Sequence, residues 1–274
     1  MKKRKSKGNS KRLIYASILT TLLLVAIGGL LVFGLVKLVA NFKPFYETKE
    51  RTENITKYNK THEQTKAVAW IRVQGTNIDY PVIYSDGTVN IQEITEDFTW
   101  VLNDIEEVKN KIFVLGHNIR NVSRNPIITD KNHTRFEQLP SFMYLDFIED
   151  NKYVQFTING KDYLYKIFSV SIVKDSELSY QTTSLEKEDL KEYIDKSLKE
   201  SYYDFDIDVD ENDNIITLAT CTRFYGYSPR YTYKIDARMV RNNEKIKNYK
   251  VEENNNYKEI QKAMKGGAED EEKL

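Results

Sequence analysis

The sequence has 274 residues, enough for one domain of ordinary size and a membrane anchor. Its 41 Lys and Arg residues equal its 41 Asp and Glu residues, but seven of the cations lie in the first twelve positions, which leaves the remainder net acidic at 34 against 41. This distribution argues against a nucleic-acid partner, because phosphate recognition needs a basic face on the folded domain.

An uncharged segment of 24 residues, from Leu13 to Val36, follows the basic tail. As a helix it would span about 36 Å, enough to cross a hydrocarbon core of about 30 Å. We therefore predict a cytoplasmic tail at residues 1–12, a single transmembrane anchor at residues 13–40 and an extracellular C-terminal domain, because positive charge resists translocation. A cleaved signal peptide is the alternative, but its apolar stretch is usually about 7–15 residues.

Residues 41–66 are highly polar and are interpreted as a stalk or as a helix lying on the domain. From Ala67 onward, short apolar runs alternate with turn residues, a pattern typical of β-strands. Pro81 lacks an N–H group, so its strand should be at an edge or should break there. Asn159-Gly160 predicts a two-residue hairpin. The predicted strands cover residues 68–73, 78–84, 111–115, 153–158, 163–173, 215–220 and 231–240.

Two helices are predicted among these strands. Residues 183–186 have capping-box spacing, and an apolar stripe recurs every four residues after them at Leu190, Ile194 and Leu198. A shorter helix is predicted at residues 135–144, broken by Pro140. Residues 243–274 are charged and rich in Asn, so we expect a disordered tail there.

Cys221 is the only cysteine of the chain, so it cannot form an intramolecular disulfide in an exported protein. The ordinary role of a free cysteine is that of a small buried side chain. Its context favours another role, because an apolar run beginning at Thr217 brings it to the end of a predicted strand. That position suits a nucleophile, since the strand fixes the thiol and the following loop leaves room for a substrate.

Two further residues could act with this thiol. His117 follows a predicted strand directly, whereas His62 and His133 lie in polar stretches and are interpreted as surface residues. Arg230 lies nine residues after Cys221, at the start of the next predicted strand. A hairpin of this length can return its guanidinium to the thiol, and the competing cations of the same segment are Arg223 and Arg238.

Together Cys221, His117 and Arg230 would form a complete site for acyl transfer. A thiolate is the nucleophile, and a neighbouring cation stabilises it. An imidazolium can protonate a leaving amine, and a fixed cation can stabilise the oxyanion at about 3–4 kcal/mol per donor. The sequence does not show whether the three residues converge.

These residues resemble those of the sortase family, specifically of its class B. The family pattern TLxTC matches Thr217–Cys221, its GHN element matches Gly116–Asn118, and residues 69–83 are similar to the first strands of class B enzymes. The resemblance covers about residues 67–240, so the catalytic domain is expected at residues 67–242. It implies a fold that is mainly β with added helices, a closed eight-stranded barrel preceded by the transmembrane helix.

The interval of 104 residues from His117 to Cys221, with a predicted helix within it, resembles class B rather than the shorter class A. Between Tyr84 and Lys111 the usual class B motifs are hardly recognisable. Arg230 lies seven residues before Ala237, whereas the family has about five. An offset of two residues keeps the side chain on the same face of the strand.

The resemblance implies that Cys221 attacks the carbonyl after Thr in a C-terminal sorting signal, NPxT-like or LPxT-like, and forms a thioacyl enzyme. His117 would be the general acid and Arg230 the oxyanion or substrate clamp. The implied partners are surface proteins that carry sorting signals, and a peptidoglycan precursor or a pilin that supplies the acceptor amine. The chemistry requires no cofactor and no metal. Substrate-binding roles are implied for four neighbouring residues: Leu218, Thr220, Asn118 and Thr222.

Two other functions fit these residues less well. A papain-like cysteine hydrolase also pairs Cys with His, but it places Cys on a helix and ahead of His in the chain, the reverse of the order here. A membrane-tethered binding or scaffold domain with a degenerate site would have lost a member of the Cys, His and Arg set, and none is lost. The choice between wall anchoring and pilus polymerisation stays open.

Overall fold

A computed structural model describes residues 6–42, 48–63, 65–84, 99–101, 107–128, 132–176, 184–228, 230–246 and 248–271. The chain divides into two compact units, Met1–Tyr46 and Glu47–Leu274. In the first unit, helix α1 (Ser6–Phe42) contains the stretch Tyr15–Gly34, which has a mean hydropathy of 2.4. By length and composition, this stretch can cross a membrane.

The second unit is built on a closed β-barrel of eight strands. In spatial order these are β1 (Ala67–Val73), β2 (Asp79–Tyr84), β3 (Thr99–Val101), β4 (Lys111–Leu115), β8 (Ile215–Thr222), β9 (Tyr231–Met239), β6 (Lys161–Lys174) and β5 (Tyr153–Ile158). Strands β7 (Tyr203–Phe205) and β10 (Val251–Glu253) form a separate two-stranded sheet. The prediction of a mainly β fold with added helices and a closed eight-stranded barrel is confirmed.

The turn residues have the conformations that their sequence predicts. Asn159 and Gly160 both have positive φ, 50° and 70°, and join β5 to β6 with Ile158 opposite Lys161. Two consecutive residues in this region give the twist that a tight hairpin needs. Pro81 pairs with Trp70 of β1, while the pairing of β2 with β3 begins only at Val82. Among the residues that the structure describes, Pro81 is therefore paired on one side of β2 only.

The two predicted helices are present with shifted limits. Helix α4 (Lys187–Glu200) begins after an N-cap at Glu186 that has no side-chain cap, so the capping box at 183–186 is wrong; its Thr183 lies outside the described residues. Leu190 and Ile194 are buried, but Leu198 is 41% exposed. Instead of Leu198, the buried face of α4 carries Tyr193 and Ser197, because it also covers polar groups of the barrel.

The short helix predicted at residues 135–144 is present only as a 3-10 helix in the second half of that region. A 3-10 helix covers Leu139–Met143 with Pro140 in its first turn, and helix α3 (Leu145–Asp150) follows directly. Proline is tolerated at a helix start because the N–H group that it lacks has no partner there. Pro140 therefore opens a helix at this position and does not break one.

The expectation of a disordered tail from residue 243 is wrong for most of that segment. Strand β10 is followed by helix α5 (Asn255–Glu271), and apolar side chains of both elements are buried in the main core. These side chains are Val251, Tyr257 and Ile260. They are widely spaced among charged residues, so the composition of the segment did not indicate that they are buried.

Residues 41–66, interpreted as a stalk or a helix on the domain, contain helix α2 (Thr48–Thr61). It belongs to the second unit and lies on that domain: Arg51 is only 2% exposed, and Asn59 exchanges hydrogen bonds with the backbone of Ala67 at 2.6 and 3.0 Å. Residues 43–47 and 64 are not described.

Two apolar cores lie on the two sides of the barrel wall. Even-numbered residues of β8, such as Ile216 and Leu218, belong to the main core, whereas Ile215 and Ala219 belong to a second core with α4. Successive side chains of a strand point to opposite faces. The odd-numbered face, which includes Cys221, is therefore the outer face.

A buried ionic cluster lies between this outer face and α4. Asp236, fully buried, accepts hydrogen bonds from the hydroxyls of Tyr193 and Thr217, and Lys234 Nζ lies 3.0 Å from its Oδ2. Lys111 is also fully buried and lies 4.5 Å from the centre of the Tyr193 ring. Burial lowers the pKa of Lys111 to about 7, although Asp236 partly opposes the shift. The charges of Lys234 and Lys111 thus both act on Asp236.

We predict unequal effects for removal of the two lysines. Lys234→Met leaves Asp236 without its closest cation and should lower the free energy of unfolding by about 3–5 kcal/mol, whereas Lys111→Met removes a group whose charged form burial disfavours and should lower it less. Urea unfolding of the full chain in detergent measures both.

The pH dependence provides a control. The pKa of Lys111 is lowered from 10.5 to about 7 in the folded state, so the unfolded chain binds more protons between these values and the cost of burial decreases as pH rises. The free energy of unfolding of the parent should therefore rise between pH 7 and pH 9.5, and Lys111→Met should remove part of this rise. An equal rise in the variant would contradict this account.

Candidate active site

The parallel pairing of β4 with β8 brings the ends of both strands to one side of the barrel. Leu115 lies opposite Ala219, and beyond them Gly116 donates its N–H to the Ala219 carbonyl at 3.1 Å. Thr220 Oγ1 donates to the Gly116 carbonyl at 2.6 Å. Continued by two residues, this register sets His117 beside Cys221.

Cys221 occupies the one exposed position of β8. The other seven residues of the strand are buried, and Cys221 is followed by the buried Thr222. On the same outer face, Ala219 and Leu115 pack against the second core and stay beneath the thiol. The strand therefore holds a rigid backbone under a thiol that solvent reaches.

The loop after β4 is tied to the end of β8 by an asparagine pair. Asn118 Nδ2 donates to the carbonyls of Asn121 at 2.9 Å and of Cys221 at 3.1 Å, and its Oδ1 accepts the Asn121 N–H at 3.0 Å. Arg223 N–H donates to the Val122 carbonyl at 2.9 Å. Because the bond to Cys221 fixes the residue that follows His117, it also fixes the backbone of His117 relative to the nucleophile.

A buried carboxylate organises the rest of this loop. Glu137 is 2% exposed and forms a bidentate pair with Arg120, whose Nη2 lies 2.7 Å from its Oε2. Burial alone would raise the pKa of Glu137, but Arg120 and the N–H of Thr134 outweigh it and the pKa lies below its usual value. Glu137 is therefore ionised at neutral pH and crosslinks the loop.

Gly116 is required by packing against this loop. A Cβ atom there would lie 2.3 Å from Cγ of the Phe136 ring, which is itself buried. Phe136 N–H also donates to the His117 carbonyl at 3.0 Å. Any side chain at Gly116 would push Phe136 away and disturb the backbone of His117.

The three candidate cations occupy different positions. Arg230 directly precedes β9, in which Thr232 lies opposite Cys221, so Arg230 and Thr232 share the outer face with the thiol. Arg223 stacks on the Tyr227 ring, 4.4 Å from its centre. Arg238 lies opposite Ile215 at the far end of β8, is 1% exposed and pairs with Glu244. The structure therefore excludes Arg238 as the cation beside the thiol.

Both titratable groups of the site favour their neutral forms. Burial raises the pKa of the Cys221 thiol, Asp175 raises it further, and Arg230 and then Arg223 oppose the shift without cancelling it. Burial lowers the pKa of His117, and the nearby Arg135 lowers it further. At neutral pH the main form is thus a thiol with an uncharged imidazole, and the reactive thiolate with imidazolium is a minority form.

The four predicted substrate-binding residues face into the protein. Leu218 is fully buried in the main core, so its prediction as a groove residue is wrong: it lies on the inner face of β8. Thr220, Thr222 and Asn118 are also buried, and their polar groups are engaged within the protein. Leu218, Thr220 and Thr222 point to the face of β8 opposite Cys221, because adjacent residues of a strand alternate between its two faces. These residues therefore support the backbone of the site.

Several residues of the site were missed from the sequence. They are Asn121 and Glu137, which shape the His117 loop, and the charged neighbours Arg135 and Asp175. Arg135 has a positive φ of 56°, unusual for a side chain of this size, but no sequence pattern indicated it. Within the described ranges no group of three or more His, Cys, Asp or Glu residues could hold a metal ion.

Comparison with known proteins gives a consistent result. The chain matches the Sortase domain family over residues 71–240, more than half of its length. It is 26% identical over 178 residues to sortase B of Staphylococcus aureus, covering 64% of this chain and 68% of that protein. It is 23% identical over 187 residues to sortase B of Listeria monocytogenes, with the same coverage.

Solved structures agree. The fold is similar to a mutant form of Clostridium perfringens sortase B, with a TM-score of 0.58 and 28% identity over 71% of this chain and 90% of that one. A second structure of Clostridium perfringens sortase B gives a TM-score of 0.56 and 27% identity, covering 68% of this chain and 99% of that one.

We predict that the Cys221 thiol titrates above the ordinary pKa of a cysteine, because burial and Asp175 outweigh the two arginines. The rate of alkylation by iodoacetamide, followed from pH 6 to 10.5, measures this. As the chain has one cysteine, the label reports this site alone. A short cysteine peptide is the control. If the protein reached its maximum rate at a lower pH than the peptide, the electrostatic account would be wrong.

Proposed function

Because this chain belongs to the sortase family and is class B-like, and sortases are cysteine transpeptidases, we propose that it is a membrane-anchored enzyme that joins surface proteins to an amine acceptor. Its donor substrate carries a C-terminal sorting signal, NPxT-like or LPxT-like, and is cleaved after Thr. Its acceptor is an amine of a cell-wall precursor or of a pilin. The apolar stretch Tyr15–Gly34 supports the anchor, with the catalytic domain outside the cell.

The single observation that carries the proposal is the register of β4 with β8. It aligns the ends of two strands and so supports Cys221 as nucleophile with His117 beside it. Arg230 joins them through the register of β9, in which Thr232 faces Cys221. A nucleophile, an acid and a cation would then lie together on the outer face, at the ends of β4 and β8 and the start of β9.

Acylation begins with the minority form of the site. The Cys221 thiolate attacks the carbonyl carbon of the Thr residue in the sorting signal. The Arg230 guanidinium stabilises the oxyanion that forms. His117, as imidazolium, gives its proton to the nitrogen of the leaving peptide. The C–N bond breaks, a thioester remains on Sγ, and His117 is left neutral.

Deacylation reverses the proton movement. An amine of the acceptor attacks the thioester carbon and loses a proton to the neutral His117. The C–S bond breaks, a new amide forms, and the electron pair returns to Sγ as thiolate. The thiolate and imidazolium pair is thereby restored for the next cycle, without a net change of protons on the enzyme.

The first test is turnover of sorting-signal peptides. The full chain in detergent should cleave a quenched NPxT-type or LPxT-type peptide, and Cys221→Ala should abolish cleavage, because no other cysteine can form the thioester. The unfolding midpoints of both proteins should agree, which shows that the variant is folded. Equal turnover by both proteins, or none by the parent with any of the peptides, would contradict the proposal.

A second test separates the cations. Arg230→Ala should lower kcat/KM for peptide cleavage by about 10²–10³-fold, the usual loss for one oxyanion donor, and Arg230→Lys should recover part of it. Arg223→Ala is the matched control, with an expected loss of less than about tenfold, because its guanidinium rests on Tyr227. A greater loss in Arg223→Ala than in Arg230→Ala would assign the clamp to Arg223.

A further inference from the structure

A carboxylate lies two strands away from the candidate nucleophile, on the same outer face of the barrel. Asp175 directly follows β6, and its N–H donates to the Arg230 carbonyl at 3.0 Å. Its Oδ1 accepts a hydrogen bond from the hydroxyl of Thr232, the residue opposite Cys221 in β9. Thr232 thus lies between Cys221 on one side and Val173 of β6 on the other. Asp175 lies two residues beyond Val173 on the same outer face, diagonal to Thr232 and level with Arg230.

This carboxylate opposes the chemistry of the thiol. After burial, it is the largest influence that raises the pKa of Cys221, and it works against Arg230. A site selected only for a reactive thiolate would gain from a neutral residue here. Asp175 must therefore act in a step other than formation of the thiolate.

The carboxylate also has unused binding capacity. Asp175 is half-buried, and its one side-chain donor within the described residues is the Thr232 hydroxyl. Across the same described ranges, no Lys, Arg or His nitrogen forms an ion pair with it within 4.0 Å. A carboxylate can accept about four hydrogen bonds. A half-buried anion with one hydroxyl donor is suited to a cation that arrives with a substrate.

We infer that the Asp175 carboxylate binds the ammonium group of the incoming acceptor, so that this enzyme selects a primary amine that approaches as a cation. The inference rests on the proposed function and adds a binding residue to it. The thioester that acylation leaves carries no charge on sulfur, so the carboxylate no longer opposes an anion and is free to bind the ammonium.

The bound ammonium first releases one proton to water. The resulting amine attacks the thioester carbon and gives a second proton to neutral His117, and the C–S electron pair returns to Cys221 as thiolate. Asp175 takes no part in these proton transfers. Its effect is a higher local concentration of the amine relative to water, which favours transfer over hydrolysis.

The experiment compares two small acceptors of nearly equal size. At pH 7.5 methylamine is a cation and hydroxylamine is uncharged. With the full chain in detergent and one cleavable sorting-signal peptide, the ratio of transfer product to hydrolysis product is measured against acceptor concentration. This ratio depends on the thioacyl enzyme alone, so a change in acylation rate does not alter it.

Asp175→Asn should lower this ratio about tenfold with methylamine, the usual effect of losing one charge-assisted hydrogen bond, and less than about twofold with hydroxylamine. Asp162→Asn is the matched control, because Asp162 also accepts a threonine hydroxyl, from Thr157, but at the other end of β6. It should leave both ratios unchanged.

Other outcomes are equally decisive. An unchanged methylamine ratio in Asp175→Asn, or equal losses with both acceptors, would overturn the inference while turnover by the parent upholds the proposed function. No turnover by the parent would overturn the proposed function, and the inference with it. The pH profile of Cys221 alkylation needs no substrate. In Asp175→Asn this profile should shift to lower pH. An unshifted profile would contradict the influence of Asp175 on the thiol.

Discussion

The parallel pairing of β4 with β8 is the constraint on which the rest of the site depends. In a parallel pair the carboxyl ends of both strands meet at one edge, whereas antiparallel strands would carry Cys221 and His117 to opposite ends of the barrel. Parallel strands also need a long crossover connection, and the chain between them supplies β5, β6 and α4. The same connection therefore closes the barrel and delivers the helix that covers its outer face beside the thiol.

Alternation along β8 divides this strand into two functions. Its inner face supplies the main core, and its outer face supplies the ionic cluster, the floor below the thiol and then Cys221 itself. Charge is arranged along the same face of β9, with the Lys234 and Asp236 pair under α4 and Arg230 near solvent. The charges of the buried pair neutralise each other, whereas the charges near Cys221 lie closer to solvent, where a substrate can contact them.

Much of this organisation was predictable, and the failures have physical causes. The limits of β4 and β5 follow from apolar runs bounded by turns, and the ends of two such runs indicated Cys221 and His117. Leu218 was assigned to the groove because it belongs to the same motif as Cys221. The two residues are three positions apart in β8, so their side chains point to opposite faces of the strand. The burial of Val251, Tyr257 and Ile260 was missed because these residues are widely spaced in the sequence and only the three-dimensional fold brings them into the core. Asp175 was missed because its relation to Cys221 runs through cross-strand register, which no local pattern encodes.

The bond from Asn118 to the Cys221 carbonyl joins residues 103 positions apart in the chain. Contacts of such long range close late in folding, because the entropy of the intervening loop must first be overcome. The imidazole and the thiol are thus separate until the barrel is complete. The geometry of the candidate site is therefore a property of the complete barrel, and no shorter part of the described chain holds these two residues together.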